Sequence, residues 1–282
     1  MLLALLVAAV SACGSSSPDS PTGPSPAPSN EVFFTAVGAS DAIGYGSSSV
    51  CIPFTQCPNG QGYVQRIARR LQAEGKQVTL SNLGIPGAVL SPTIQSLGNQ
   101  VGLDILANFL EREMPFVSRD STVVTIFAGG NDANAIGRAL ERGLGGSNPS
   151  NFLSSQIQGF GADMRALVNG IRDRAPQARI VILNLPNLAA MPYMAGESAD
   201  RKRVFQQIAV GLSAQINALA ASNVLVVDLM CDGNFLHPSI FSPDGFHPND
   251  AGYGYMADVV YPAVLNGTFS LPSNSCSYMS LY

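Results

Sequence analysis

A three-layer α/β/α sandwich around a mostly parallel, five-stranded sheet is the fold class this sequence predicts, and three observations carry the prediction. Short runs rich in Val, Ile and Leu recur along residues 31–282, as strands covered on both faces require. Helical apolar periodicity lies between them. The composition, 46% hydrophobic and 12% charged, supplies enough apolar surface for a substantial core and argues against global disorder. Alternation of strand and helix implies right-handed crossovers, with helices on both faces of the sheet.

The first strand is Glu31–Gly38 (EVFFTAVG), a compact apolar run ending in glycine. Residues 77–83 (QVTLSNL) alternate, and 121–128 (STVVTIFA) are continuous and β-branched. Residues 178–185 (ARIVILNL) and 223–229 (NVLVVDL) are of the same kind. Among the helices, 152–174 has the clearest stripe: Leu153, Ile157, Phe160, Met164, Leu167 and Ile171 recur at three- and four-residue steps. Weaker patterns predict helices over 62–75, 101–113, 200–221 and 250–265. No internal repeat is visible. In an open sheet of this type the ligand site lies beyond the carboxyl ends of the strands, so the loops after each strand are the places to search.

Charge narrows the function. Fifteen Lys and Arg against nineteen Asp and Glu give a net charge of −4, which argues against a nucleic-acid partner. Two histidines, with no HExxH or CxxC pattern, argue against a dedicated zinc site. No apolar run reaches the roughly 18 residues of a membrane span.

The front end reads as an address followed by a tether. Residues 1–12 (MLLALLVAAVSA) have the length and apolar character of an export signal. Val10-Ser11-Ala12-Cys13 resembles the lipobox of bacterial lipoproteins, which implies that Cys13 is lipidated and begins the mature chain. No Lys or Arg precedes the apolar run, so the true start is expected upstream of Met1. Residues 13–30 are dominated by Pro and Ser and behave as a semi-rigid spacer between a cell-envelope membrane and a domain spanning 31–282.

Cysteine use agrees with export. Cys51, Cys57, Cys231 and Cys276 allow three pairings. The short Cys51/Cys57 interval favours a local staple, leaving Cys231 to hold the C-terminal tail through Cys276.

Four loops at expected strand ends carry donor or reactive groups: Gly38-Ala39-Ser40-Asp41, Gly84-Ile85-Pro86-Gly87, Gly129-Gly130-Asn131-Asp132 and Asp244-Gly245-Phe246-His247-Pro248. A serine hydroxyl becomes a useful nucleophile only when a nearby base takes its proton, and imidazole suits that task near neutral pH. Asp244, three residues before His247, would orient the ring. The backbone N–H groups of Ser40 and Gly87 and the Asn131 amide would supply three donors to a developing oxyanion. One of Asn131 and Asp132 is also expected to cap a following helix.

These blocks, in this order, are similar to those of the SGNH (GDSL-type) serine hydrolases. The resemblance runs from Gly38 to Pro248 and implies a flavodoxin-like fold, with Ser40 as nucleophile, Gly87 and Asn131 as oxyanion donors, and Asp244 and His247 completing a triad. One difference is local: that family's first block usually reads G-D-S, whereas here Ala39 precedes the serine and Asp41 follows it. A G-x-S-x-G elbow, the mark of the α/β-hydrolases, is absent. His237, with Asp232 five residues earlier, is the competing base. Tyr253, Tyr255 and Met256 are read as packing residues.

The expected activity is therefore esterase or lipase action on acyl or lipid esters, with no metal or organic cofactor. Removal of O-acetyl groups from polysaccharides is the alternative, and a non-catalytic binding domain on the same fold is a more distant one.

Overall fold

Apolar residues alternate between two destinations along most of the strands, and that alternation builds the layers. The computed structural model describes residues 30–52, 54–55 and 57–282. The expected signal over 1–12, the Cys13 lipidation site and all but the last residue of the 13–30 tether lie outside the described residues.

Five strands, β1 (Glu31–Gly38), β2 (Gln77–Asn82), β3 (Val123–Phe127), β4 (Arg179–Leu183) and β5 (Val224–Val227), form one sheet in the order β2-β1-β3-β4-β5. All four pairings are parallel, so the sheet is wholly rather than mostly parallel. This is the flavodoxin-like order, with its switch point between β1 and β3.

Seven α-helices are present among the described residues. On one face of the sheet lie α1 (Tyr63–Ala73) and α7 (Asp250–Asn266), which pack Ile67, Leu71, Tyr253 and Val260 against Phe34, Val181 and Leu225. On the other lie α2 (Pro92–Gln100), α3 (Phe109–Arg112), α4 (Gly130–Glu141), α5 (Pro149–Arg174) and α6 (Ala199–Asn217). There Ile94, Ile136, Phe160, Leu167 and Ile208 meet Val124, Ile180 and Val226. Among the described residues, no helix is long and apolar enough to cross a membrane.

Two helices differ from the periodicity. Residues 101–113 are not one helix. Gly102 and Asp104 both take positive φ, +81° and +48°, which α-helix excludes. The chain instead forms α2 before them, where the Ser91 side chain accepts the Ile94 amide and Pro92 fills the first turn. Only the short α3 follows, capped by Asn108. The other difference is α4. Its inward side chains are largely small, with Ala133, Ala135, Gly137 and Ala139 buried, so no stripe of large apolar residues announces it.

Two disulfides, Cys51–Cys57 and Cys231–Cys276, close the pairs expected from spacing. Asn217 and Asp228 also hold the tail: the Asn217 amide reaches the Ser273 carbonyl, and the Asp228 carboxylate accepts the Ser273 amide.

Candidate active site

β1 delivers Ser40 to the carboxyl edge of the sheet, in a turn held from several sides. The buried Glu113 accepts the Gly38 amide through Oε2 at 2.8 Å. Burial raises the Glu113 carboxyl well above the usual range, with the Gly38 and Ile85 amides working the other way. Asn82, at the end of β2, donates to the Ala42 carbonyl at 2.6 Å. Within the turn itself the Tyr45 amide donates to the Ser40 carbonyl at 3.0 Å.

Ser40 Oγ lies 2.9 Å from His247 Nε2, although 207 residues separate them in the chain. His247 Nδ1 lies 2.7 Å from Asp244 Oδ2. The other carboxylate oxygen, Oδ1, accepts the Phe246 and His247 amides at 2.8 and 2.9 Å and the Ser242 hydroxyl at 2.8 Å. Partial burial opposes charge on Asp244, but the bonds from His247, the two amides and Ser242 outweigh it and hold the carboxyl at about 2. The group is thus ionised at neutral pH. An Nδ1–H directed at it leaves Nε2 free to accept a proton from Ser40. The imidazole is flanked by Tyr45 and Phe246, with ring centroids 4.7 and 5.0 Å away.

Gly87 enters from the loop after β2 and Asn131 from the first turn of α4. Gly87 has φ +75°, a conformation that L side chains adopt at a cost, so glycine belongs there for backbone reasons. Asn131 Nδ2 donates one hydrogen to the Ala88 carbonyl at 2.9 Å, which orients the amide and leaves its second hydrogen available. Ser40, Gly130, Asn131 and Ala88 line one recess.

Neither Asn131 nor Asp132 caps α4. The cap position belongs to Gly129, at φ +113°, with no side-chain cap bond. Both polar side chains bond the loop after β2, Asn131 through the Ala88 carbonyl at 2.9 Å and Asp132 through the Leu90 amide at 3.0 Å. That loop presents its backbone groups alongside the first turn of α4. Asp132 is completely buried, and burial pushes its carboxyl up to about 7 against the opposing Leu90 bond.

His237 lies elsewhere, in an exposed turn with Nδ1 2.8 Å from Ser239 Oγ. Asp232 does not face it. One oxygen accepts the Asn234 amide and the other the Tyr255 hydroxyl, at 3.1 and 2.6 Å. Tyr253 and Met256 are fully buried in the core. The Tyr253 hydroxyl donates to the Tyr45 carbonyl at 2.7 Å, linking α7 to the Ser40 turn. Asp41, the acid displaced to the far side of the serine, has its carboxyl raised by burial, with nearby His247 acting in the opposite direction.

Several contributors carry little sequence signal. Glu113 falls within a segment whose periodicity suggests a helix, and nothing local announces its bond to Gly38. Ser242 was findable in principle, as a hydroxyl two residues before Asp244. Leu188 and Met191, which also line the recess, belong to the irregular segment after β4.

Comparison with known proteins bears on this geometry. The chain is 34% identical over 94 residues to the GDSL lipase Rv0518 of Mycobacterium tuberculosis, a stretch covering 33% of this chain and 36% of that protein. The matched stretch thus spans about a third of that relative's length. Among solved structures, the lipase Lip_vut3 from a goat rumen metagenome superposes with a TM-score of 0.57 at 20% identity, covering 84% of this chain and 98% of that one. The extracellular lipase of Streptomyces rimosus gives 0.57 at 18% identity, covering 84% and 100%. An acetyl xylan esterase of Geobacillus stearothermophilus gives 0.52 at 17%, covering 85% and 97%. At such identities these likenesses speak to the fold. The model of the GDSL-like Lipase/Acylhydrolase family, by contrast, matches residues 36–255, a stretch that runs from within β1 into α7 and takes in all four loops, so the chain belongs to that family.

Proposed function

We propose that the protein hydrolyses carboxylic esters through an acyl-enzyme on Ser40. The observation that carries this reading is the unbroken hydrogen-bonded chain from Ser40 Oγ through His247 to the ionised Asp244. His247 Nε2 takes the Ser40 proton as Oγ attacks the ester carbonyl, and the carbonyl oxygen gains the negative charge. The amides of Ser40 and Gly87 and the free hydrogen of the Asn131 amide receive that charge. As the C–O bond to the alcohol breaks, His247 returns the proton to the leaving oxygen. Water then enters, gives a proton to the same nitrogen and attacks the acyl carbonyl. Collapse of the second tetrahedral species frees the acid and restores Ser40.

A fluorophosphonate probe tests this reading directly. The wild-type protein is expected to label and to hydrolyse p-nitrophenyl acetate, and Ser40→Ala to do neither. An unlabelled wild-type protein with no ester hydrolysis would instead identify a binding domain.

We also infer that the chain is exported and held at a membrane by lipid on Cys13. The apolar run over 1–12 followed by Cys13 supports this, as do two disulfides of the kind oxidising compartments preserve. In a bacterial host with lipoprotein machinery, Cys13→Ser is expected to lose membrane partitioning. Soluble wild-type protein with residues 1–12 intact would refute the anchor.

A further inference from the structure

The recess beside Ser40 is small, apolar and built on braced walls. Its volume is about 30 Å³. A single water needs roughly 10–15 Å³ of its own, so a space of this size admits only small groups. Beyond Ser40 and Asn131 its far side is made by Leu185, Leu188, Met191 and Phe246. Leu185, Leu188 and Met191 are buried.

These walls are tied on both sides. Asn187 accepts the Ala189 amide within the turn that carries Leu188, and its own amide donates to Gln206 Oε1 and the Tyr278 carbonyl at 3.0 and 2.7 Å. The turn is therefore fastened to α6 and to the disulfide-held tail. At its other end the Tyr193 amide donates to the Gly245 carbonyl at 3.1 Å, in the loop of the triad acid and base. The Tyr193 ring meets Phe246 edge to face at 5.1 Å. Phe246 in turn closes on α4, where a methyl group at Gly130 would lie 3.3 Å from its Cζ.

The two halves of an ester face different surroundings here. The leaving oxygen must sit within reach of His247 Nε2, whose ring is flanked by Tyr45, 48% exposed. That direction opens to solvent. The acyl group stays on Ser40 after the alcohol departs, and the recess is the space beside Ser40 that could receive it.

Resting on the ester-hydrolase reading, we propose that the enzyme is selective for short acyl groups, of roughly two to four carbons, with Leu188, Met191 and Phe246 setting the limit. The alcohol is unrestricted by this wall, so bulky acceptors, sugar hydroxyls included, are compatible. A long fatty-acyl chain is not: each added methylene must displace a side chain that is packed and tied.

The test is a p-nitrophenyl ester series from acetate to palmitate, followed as kcat/KM, on wild type, Leu188→Ala, Met191→Ala and Ser40→Ala, with melting temperatures to confirm folding. Wild type is expected to lose roughly 10- to 100-fold between butyrate and octanoate. The two trimmed variants are expected to raise the octanoate-to-acetate ratio at least about tenfold. Wild-type turnover of octanoate or palmitate as fast as acetate, abolished by Ser40→Ala, would overturn the short-acyl limit while leaving the ester-hydrolase reading intact. Absence of hydrolysis with every ester would overturn that reading itself. Should a trimmed variant fail to fold, the wild-type series alone decides the limit.

Discussion

Asp132 Oδ1 accepts the backbone amide of Leu90 at 3.0 Å, joining the first turn of α4 to the loop after β2 in the interior of the protein. Asn131 sits beside it and bonds the carbonyl of Ala88 in the same loop. Two adjacent side chains thus clamp the segment that presents Gly87, so the spacing between the proposed oxyanion donors depends on α4. Asp132 is completely buried, and that burial disfavours the charged form of its carboxyl.

A pH dependence follows from Asp132. Its folded carboxyl titrates near 7, raised by burial, against about 3.9 for an unfolded aspartate. The native state therefore holds the extra proton. The corresponding stability is present below about pH 4 and is lost as pH rises through about 7. Asp132→Asn keeps an acceptor for Leu90 but has no proton to lose. Between pH 4.5 and 8 the melting temperature of this variant should fall less than that of wild type, and an equal fall would remove Asp132 as a source of the dependence.

Asn131→Ala should lower kcat by roughly 10²–10³-fold with little change in KM. One oxyanion donor is worth about that much, and its bond strengthens only as the carbonyl becomes tetrahedral. Steady-state kinetics with p-nitrophenyl acetate provide the check. A normal kcat accompanied by a lowered melting temperature would reduce Asn131 to a clamp on Ala88.

The two histidines should separate completely. His247→Ala is expected to abolish hydrolysis, whereas His237→Ala, in an exposed turn bonded to Ser239, should retain most of it. Asp244→Asn should also be severely impaired, because an amide can hold the imidazole in the wrong tautomer. Activity surviving His247→Ala would refute the assigned base.

Removing Cys231–Cys276 should cost more stability than removing Cys51–Cys57. The sequence separations they close are 45 and 6 residues. Chain entropy assigns roughly 3–4 kcal/mol to the first and about 2 kcal/mol to the second. Denaturant unfolding of the paired Cys→Ser variants measures both, and the reverse order would show that the tail contributes little to the folded state.

What the sequence determined by itself is the set of local patterns. Continuous apolar runs mark β1, β3, β4 and β5, because a strand buried on both faces has few other compositions open to it, and apolar–polar alternation marks β2. The six-residue Cys51/Cys57 interval favours its own closure, and Asp244-x-x-His247 places acid and base in one loop, where their separation is local. The tertiary structure decided everything that depends on contacts between distant segments. It set the 2.9 Å approach of Ser40 to His247 and put Glu113 beneath Gly38. It also turned Asn131 and Asp132 from capping candidates into clamps, and enclosed a recess of about 30 Å³ with side chains from the segment after β4. The helix α4 belongs with these. Its small inward residues are legible as a buried face only once Ile94 of α2 and Phe205 of α6 are packed on that side of the sheet, because a stripe of Ala and Gly carries little hydrophobic signal until neighbouring backbones come close enough to need it.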